Sequence, residues 1–251
     1  MRILSIVHHD NAAAGVFREP AAAARHELIE WLPHDGPPPR LDGIEAALAL
    51  GGEAHADQDE LHPWLAPEKA LLRELLERDV PTLGICLGSQ LLAQAAGGEI
   101  RPAAVSEVGW YEIELTDDGA ADPLLGFLPR SFEGFEWHHY EWLLPPGAKV
   151  LARSDACLQA FRLGDRPFWG IQSHPEVTLP DLESWLDEFH DDPAAVTTGQ
   201  DPEALRADSR ARIAGWNAVG RGIAARFYEV AATRALRRRP TGRHPRGTPA
   251  R

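Results

Sequence analysis

Cysteine is nearly missing from this sequence: Cys86 and Cys157 are the only two in 251 residues. Two cysteines cannot staple a fold of this length. That excludes a disulfide scaffold and makes a reducing compartment, the cytoplasm, the expectation. No stretch approaches the ~20 apolar residues of a membrane span, so no membrane association is expected. The opening MRILSIVHHD holds too short an apolar run for a signal peptide. Neither phosphate-loop pattern, GxxxxGK[ST] or GxGxxG, occurs, and no nucleotide site is expected. The pairs His8-His9 and His138-His139 are adjacent and lack the i, i+4 spacing of a helical zinc site, and CxxC is missing too. No metal and no cofactors are therefore expected. Lysine is scarce, Lys69 and Lys149 being the only two. With the many Ala and Pro, that bias reads as genome composition rather than function.

The formal net charge is −13, which argues against a nucleic-acid partner, since phosphate contacts require clustered Lys and Arg. The charge is unevenly placed. Residues 233–251 (TRALRRRPTGRHPRGTPAR) hold seven Arg and no acid. Taking that +7 from the total leaves −20 on the rest. A Pro/Gly/Arg-rich end of this kind is expected to stay solvated as a basic, disordered tail.

Short apolar runs at 2–7, 44–50 and 80–85, each bounded by turn residues, predict buried strands. Between the second and third, residues 67–79 place Leu71, Leu72, Leu75 and Leu76 on one helical face. After the third, LLAQAA predicts a helix that Gly97-Gly98 ends. Strand and helix thus alternate over the first 100 residues, which implies a parallel sheet covered by helices on both faces. Residues 109–115, 148–153, 157–163 and 167–173 predict further strands. Residues 180–190 and 202–231 predict helices, the second with Ile213, Trp216, Val219, Ile223 and Phe227 in an apolar stripe. Residues 191–201 read as a linker between those helices.

Gly84-Ile85-Cys86-Leu87-Gly88 follows an apolar strand and opens a helix. GxCxG is the thiol counterpart of the GxSxG nucleophile elbow. Its glycines allow a sharp strand-to-helix turn, which lifts the thiol out at the C-terminal edge of a strand, where ligands bind in open α/β sheets. The helix N-terminus offers free N–H groups to an oxyanion. Taken alone, the pattern also fits a buried structural cysteine at a glycine-rich turn. His174-Pro175-Glu176 ends a second strand-like run far downstream. Pro175 biases His174 towards extended backbone. If the segment stays extended, His174 and Glu176 point to one side, a base with its orienting carboxylate. Taken alone, a surface turn with a lone histidine fits equally.

Together, PTLGICLGSQ at 81–90 and GIQSHPEVT at 170–178 resemble the class I glutamine amidotransferases, in order and spacing. The look is most similar to stand-alone members related to the glutaminase domain of GMP synthase, including the gamma-glutamyl peptidases, which also have a long C-terminal helix like that around WNAVGR. The resemblance implies a three-layer α/β/α, flavodoxin-like, mostly parallel sheet with a cysteine nucleophile elbow. It implies a Cys-His-Glu triad in which Cys86 forms a glutamyl thioester, His174 moves the proton and Glu176 orients His174. It implies an oxyanion hole from the N–H groups of Gly52 and Leu87, and substrate contacts at Gln90, at Val108, Gly109 and Trp110, and at His138. Two positions depart from the family pattern. Glu53 stands where the oxyanion loop usually has proline, and His139 stands where a glycine usually follows the family histidine matched by His138. His8 and His9 end the first strand near the same sheet edge, as loop or functional histidines. Cys157 reads as a small buried apolar residue.

The resemblance implies residues 1–190 as the catalytic domain, 191–232 as a helical C-terminal extension packed on it, and 233–251 as the tail. The expected activity is cleavage of the gamma-amide of glutamine or a gamma-glutamyl compound, with a small-molecule substrate as partner. An ammonia-supplying glutaminase that serves a separate synthetase is the alternative, because no ATP-using segment follows residue 178. A non-catalytic binding protein on the same fold is the third, weakened by the intact Cys86, His174 and Glu176.

Overall fold

The computed structural model describes residues 1–238. In chain order the elements are β1 (Arg2–Ile6), α1 (Arg18–Ala23), β2 (Glu27–Trp31), β3 (Ala46–Ala49), α2 (Leu65–Glu77), β4 (Thr82–Ile85) and α3 (Leu87–Ala95). There follow β5 (Ile100–Leu115), α4 (Asp117–Ala120), β6 (Ser131–Trp142), β7 (Lys149–Arg153), β8 (Leu158–Arg162) and β9 (Phe168–Ile171). The chain continues through α5 (Leu179–Asp187), α6 (Pro193–Thr197) and α7 (Pro202–Arg238). No helix among the described residues is long and apolar enough to cross a membrane.

One nine-stranded sheet runs in the order β2-β1-β3-β4-β9-β8-β7-β5-β6. The first five strands are parallel, as the alternating strand and helix predicts. From β9 to β6 the pairing is antiparallel; β7, β8 and β9 follow one another through turns too short for a crossover helix. The inner parallel strands β1, β3, β4 and β9 read as largely apolar runs because both faces are covered. Leu4, Ile6, Ala47 and Ala49 pack against Leu71, Leu72, Leu75 of α2 and Leu87, Leu91 of α3. Their strand neighbours Ile3, Ala46 and Leu48 pack on the other side against Phe17, Ala21 and the α7 residues Ile223, Phe227 and Tyr228. This makes the three-layer α/β/α arrangement.

Two strands escape the sequence reading. β2 carries exposed Glu27 and Glu30 on an edge, so it lacks an apolar run. β6 places Glu136, His138 and Glu141 in buried positions, which breaks the apolar alternation. α7 runs past 232, the expected end of the helical extension, into the first residues of the expected basic tail. No glycine or proline interrupts residues 223–239, and Pro240 is the first helix breaker beyond. The rest of that tail, 239–251, lies outside the described residues.

Candidate active site

β4 delivers Cys86 to the C-terminal edge of the parallel sheet, and α3 begins at Leu87. Cys86 has φ 48° and ψ −112°, a region that costs a non-glycine residue on the order of 1–3 kcal/mol and is held only where the surroundings enforce it. Here they do. The Cys86 N–H donates to the Ile171 carbonyl at 2.8 Å, and the Ser89 hydroxyl donates to the Cys86 carbonyl at 2.7 Å. The two glycines are needed for close approach: a Cβ on Gly88 would lie 2.0 Å from the Ala49 carbonyl oxygen, and one on Gly84 2.6 Å from that of Gly88. The thiol faces the Trp137 carbonyl at 3.7 Å.

His174 follows β9, the strand beside β4. Its N–H donates to the Phe135 carbonyl at 2.9 Å, and its Nδ1 lies 2.8 Å from Glu176 Oε1, both side chains being buried. The extended His-Pro-Glu segment expected from sequence is not what is found. Pro175 and Glu176 form a turn, closed by the Val177 N–H on the His174 carbonyl at 3.5 Å. That turn, rather than strand periodicity, brings the two side chains together. The Val16 N–H donates to the Glu176 carbonyl at 2.9 Å and fixes the turn from below. Burial works against a charge on His174, but Glu176 and the hydrogen-bonded Cys86 outweigh it and raise its pKa well above the ordinary value. The charged form of His174 is thereby favoured beside Cys86.

Both groups line a cavity of about 550 Å³ together with Gly52, Leu87 and Gln90, within the roughly 300–1,000 Å³ range of small-molecule sites. As the first residue of α3, Leu87 has an N–H with no acceptor inside the helix. Gln90 projects from the same helix, its amide donating to the Tyr140 carbonyl at 3.2 Å. His138 also lines the cavity. Val108, Gly109 and Trp110 do not: β6, whose Trp137 pairs with Val108, is the strand that meets Cys86, and β5 lies behind it. The Trp110 indole instead donates to Ser209 of α7 at 3.0 Å.

Several lining residues escape sequence reasoning, among them Trp137, Trp185 and Asp192, while His139, marked in the sequence as a departure from the family pattern, lines the cavity with them. They come from β6, from α5 and from the segment after it, which reads as a linker. The Trp137 indole donates to Asp192 at 3.0 Å, and His139 Nε2 lies 2.8 Å from the same oxygen. Asp192 also caps α6 by accepting from the N–H groups of Ala194 and Ala195. The Trp185 ring lies edge-on to His174, 4.9 Å between centroids.

Sharing His138 with the cavity lining, Glu107, His138 and Cys157 place one ligand-type atom each within 4.8 Å of one another. They are also mutual partners: His138 Nε2 is 3.0 Å from Glu107, the Cys157 thiol is 3.6 Å from the same carboxylate, and Gln159 donates to it at 2.8 Å. Sequence spacing does not reveal this cluster, because its members sit on different strands and beside β8. Glu136 lies next to it. Burial and Glu107 push the Glu136 carboxyl well above the usual carboxylate range.

Residues 47–190 match the family described as glutamine amidotransferase class-I. The chain is 41% identical over 110 residues to a glutamine-hydrolysing GMP synthase subunit of Thermococcus kodakarensis, a stretch covering 43% of this chain and 57% of that one. Matches to such subunits from two Pyrococcus species likewise span just over half of their length, 56% in each. A glutamine amidotransferase-like protein of Salmonella typhimurium is 28% identical over 192 residues, 74% of this chain and 80% of that one. Among solved structures, a glutamine amidotransferase from Thermotoga maritima superposes with a TM-score of 0.81 at 26% identity, over 91% of this chain and 98% of that one.

Proposed function

Since the chain belongs to the class-I glutamine amidotransferases, we propose that it hydrolyses the gamma-amide of glutamine or of a gamma-glutamyl compound through a glutamyl thioester on Cys86. The observation that carries this reading is one cavity edge. A strained cysteine at a strand-to-helix elbow sits beside a buried histidine whose Nδ1 is 2.8 Å from a buried glutamate.

In this mechanism the thiol proton rests on His174, and the Cys86 thiolate sulfur attacks the gamma-carbonyl carbon. The oxyanion that forms accepts hydrogen bonds from the N–H groups of Gly52 and Leu87. Collapse of that intermediate breaks the C–N bond. His174 gives its proton to the departing nitrogen, which leaves as ammonia or as an amine. Water then attacks the thioester with His174 as base, and glutamate and the free thiol are released. Glu176 holds the imidazole tautomer and stabilises its charged form. Gln90 and His138 are the lining side chains assigned to substrate contact. Residues 1–190 are assigned to catalysis, and the helices that follow to supporting them.

A second reading keeps the same chemistry and delivers the ammonia to a synthetase on a separate chain. The likeness to glutamine-hydrolysing GMP synthase subunits favours it. Turnover by the isolated chain separates the two. Steady release of glutamate from glutamine or from one of a panel of gamma-glutamyl peptides, abolished in Cys86→Ala, supports the free-standing hydrolase. Turnover near zero that rises on adding a synthetase supports the second reading. Equal activity in Cys86→Ala contradicts both.

A further inference from the structure

Resting on the assignment of the Gly52 N–H as an oxyanion donor, we propose that the buried pair His8–Glu68 is a positioning device that fixes the direction of that N–H. His8 follows β1 and Glu68 sits near the start of α2; both side chains are buried. His8 Nδ1 lies 3.0 Å from the Gly51 carbonyl oxygen, and Nε2 lies 2.9 and 3.1 Å from the two Glu68 oxygens. A carbonyl and a carboxylate both accept hydrogen bonds, so the ring meets both as an imidazolium with a proton on each nitrogen. Burial opposes that charge, yet Glu68 and the Gly51 and Leu50 backbone outweigh it and raise the His8 pKa.

The link to the oxyanion hole is covalent geometry. The Gly51 carbonyl and the Gly52 N–H belong to one planar trans peptide and point in opposite directions. Holding the oxygen against His8 turns the N–H away from His8. The cavity lies on that side: Gly52, Cys86 and Leu87 line it, and His8 does not. Two consecutive glycines restrict their own backbone poorly, and Glu53 follows where proline would have stiffened the loop. The His8 hydrogen bond supplies the constraint that the missing proline does not. Gly52 rests directly on His8, since a Cβ there would fall 2.6 Å from the His8 Cβ.

Two substitutions split the ring's two contacts. In His8→Asn the amide nitrogen takes the place of Nδ1 and keeps a donor for Gly51, while Glu68 loses its partner. In His8→Gln the amide reaches the place of Nε2 and keeps a donor for Glu68, while the Gly51 oxygen is released. Losing an oxyanion donor costs roughly 10²–10³-fold in kcat, so His8→Gln is expected to fall by that order with little change in KM. His8→Asn is expected to keep the higher kcat but the lower Tm, because it leaves the buried Glu68 carboxylate without the hydrogen-bond donor that His8→Gln retains. A merely structural role predicts that kcat follows Tm, and that ordering overturns the proposal. A second readout does not depend on turnover. With ¹⁵N-glycine labelling, the Gly52 amide is expected to shift and exchange faster in His8→Gln than in His8→Asn. An unchanged Gly52 amide in His8→Gln overturns the proposal even if no substrate turns over, whereas absent turnover in the wild type overturns only the hydrolase reading.

Discussion

Trp216 on α7 donates its indole N–H to the carbonyl oxygen of His174 across 2.7 Å. The next residue, Asn217, donates to the Val177 carbonyl at 2.7 Å, and Gly220 comes so near Pro175 that a Cβ there would lie 1.8 Å from its carbonyl oxygen. One face of α7 thus grips the turn that carries His174 and Glu176. Gly220→Ala is expected to push that turn aside and lower kcat by more than about tenfold, with far-UV circular dichroism unchanged. Trp216→Phe removes the shorter of the two hydrogen bonds to the His174 carbonyl and is expected to cost about 0.5–1.5 kcal/mol in denaturant unfolding.

The raised His174 pKa fixes the sign of a pH effect. His174 carries the proton that must reach the leaving nitrogen and loses it as pH rises through the raised value. The rate profile is therefore expected to show a basic limb well above the ordinary histidine value. Glu176→Gln removes the charge that favours imidazolium. Its limb is expected to move to lower pH, by about one unit or more. A limb that stays in place contradicts the assignment of Glu176.

Asp192 ties three parts of the cavity wall together. Burial opposes its ionisation, but hydrogen bonds from His139 and Trp137 and from the Ala195 N–H hold the carboxyl well below the usual range. Asp192→Ala removes the α6 cap and frees both rings. A loss of roughly 0.5–2 kcal/mol is expected from the cap, and KM is expected to rise more than kcat falls, read from steady-state kinetics.

The two thiols should behave differently towards a glutamine-like electrophile. Burial, reinforced by Glu107 and Glu136, pushes the Cys157 thiol far up, and Cys157 does not line the cavity. Peptide mapping is expected to find the label on Cys86 and none on Cys157.

Much of this site was legible in the sequence because its residues carry local signals. GxCxG announces a strand-to-helix turn whatever surrounds it, and His-Pro-Glu lies next to an apolar strand. The parallel strands other than β2 were legible for the same reason, as apolar runs with turn residues at their ends. What stayed hidden depends on contacts distant in sequence. His8 and Glu68 are 60 residues apart, and nothing in either neighbourhood marks them as partners. Asp192 lies in a stretch that reads as linker, yet it meets Trp137 and His139 on β6. Val108 to Trp110 show the converse: motif position placed them at the substrate, and the β5–β6 pairing puts β6 in between.

The central claim is the covalent intermediate on Cys86, and acid quenching during turnover followed by intact-mass and peptide mass spectrometry tests it most directly. With the gamma-glutamyl substrate that turns over best, a fraction of the protein is expected to gain the mass of one glutamyl group. That mass should map to Cys86, vanish in Cys86→Ala, and disappear when the quenched protein is treated with hydroxylamine. An adduct on any other residue, or full turnover by Cys86→Ala, would contradict the claim.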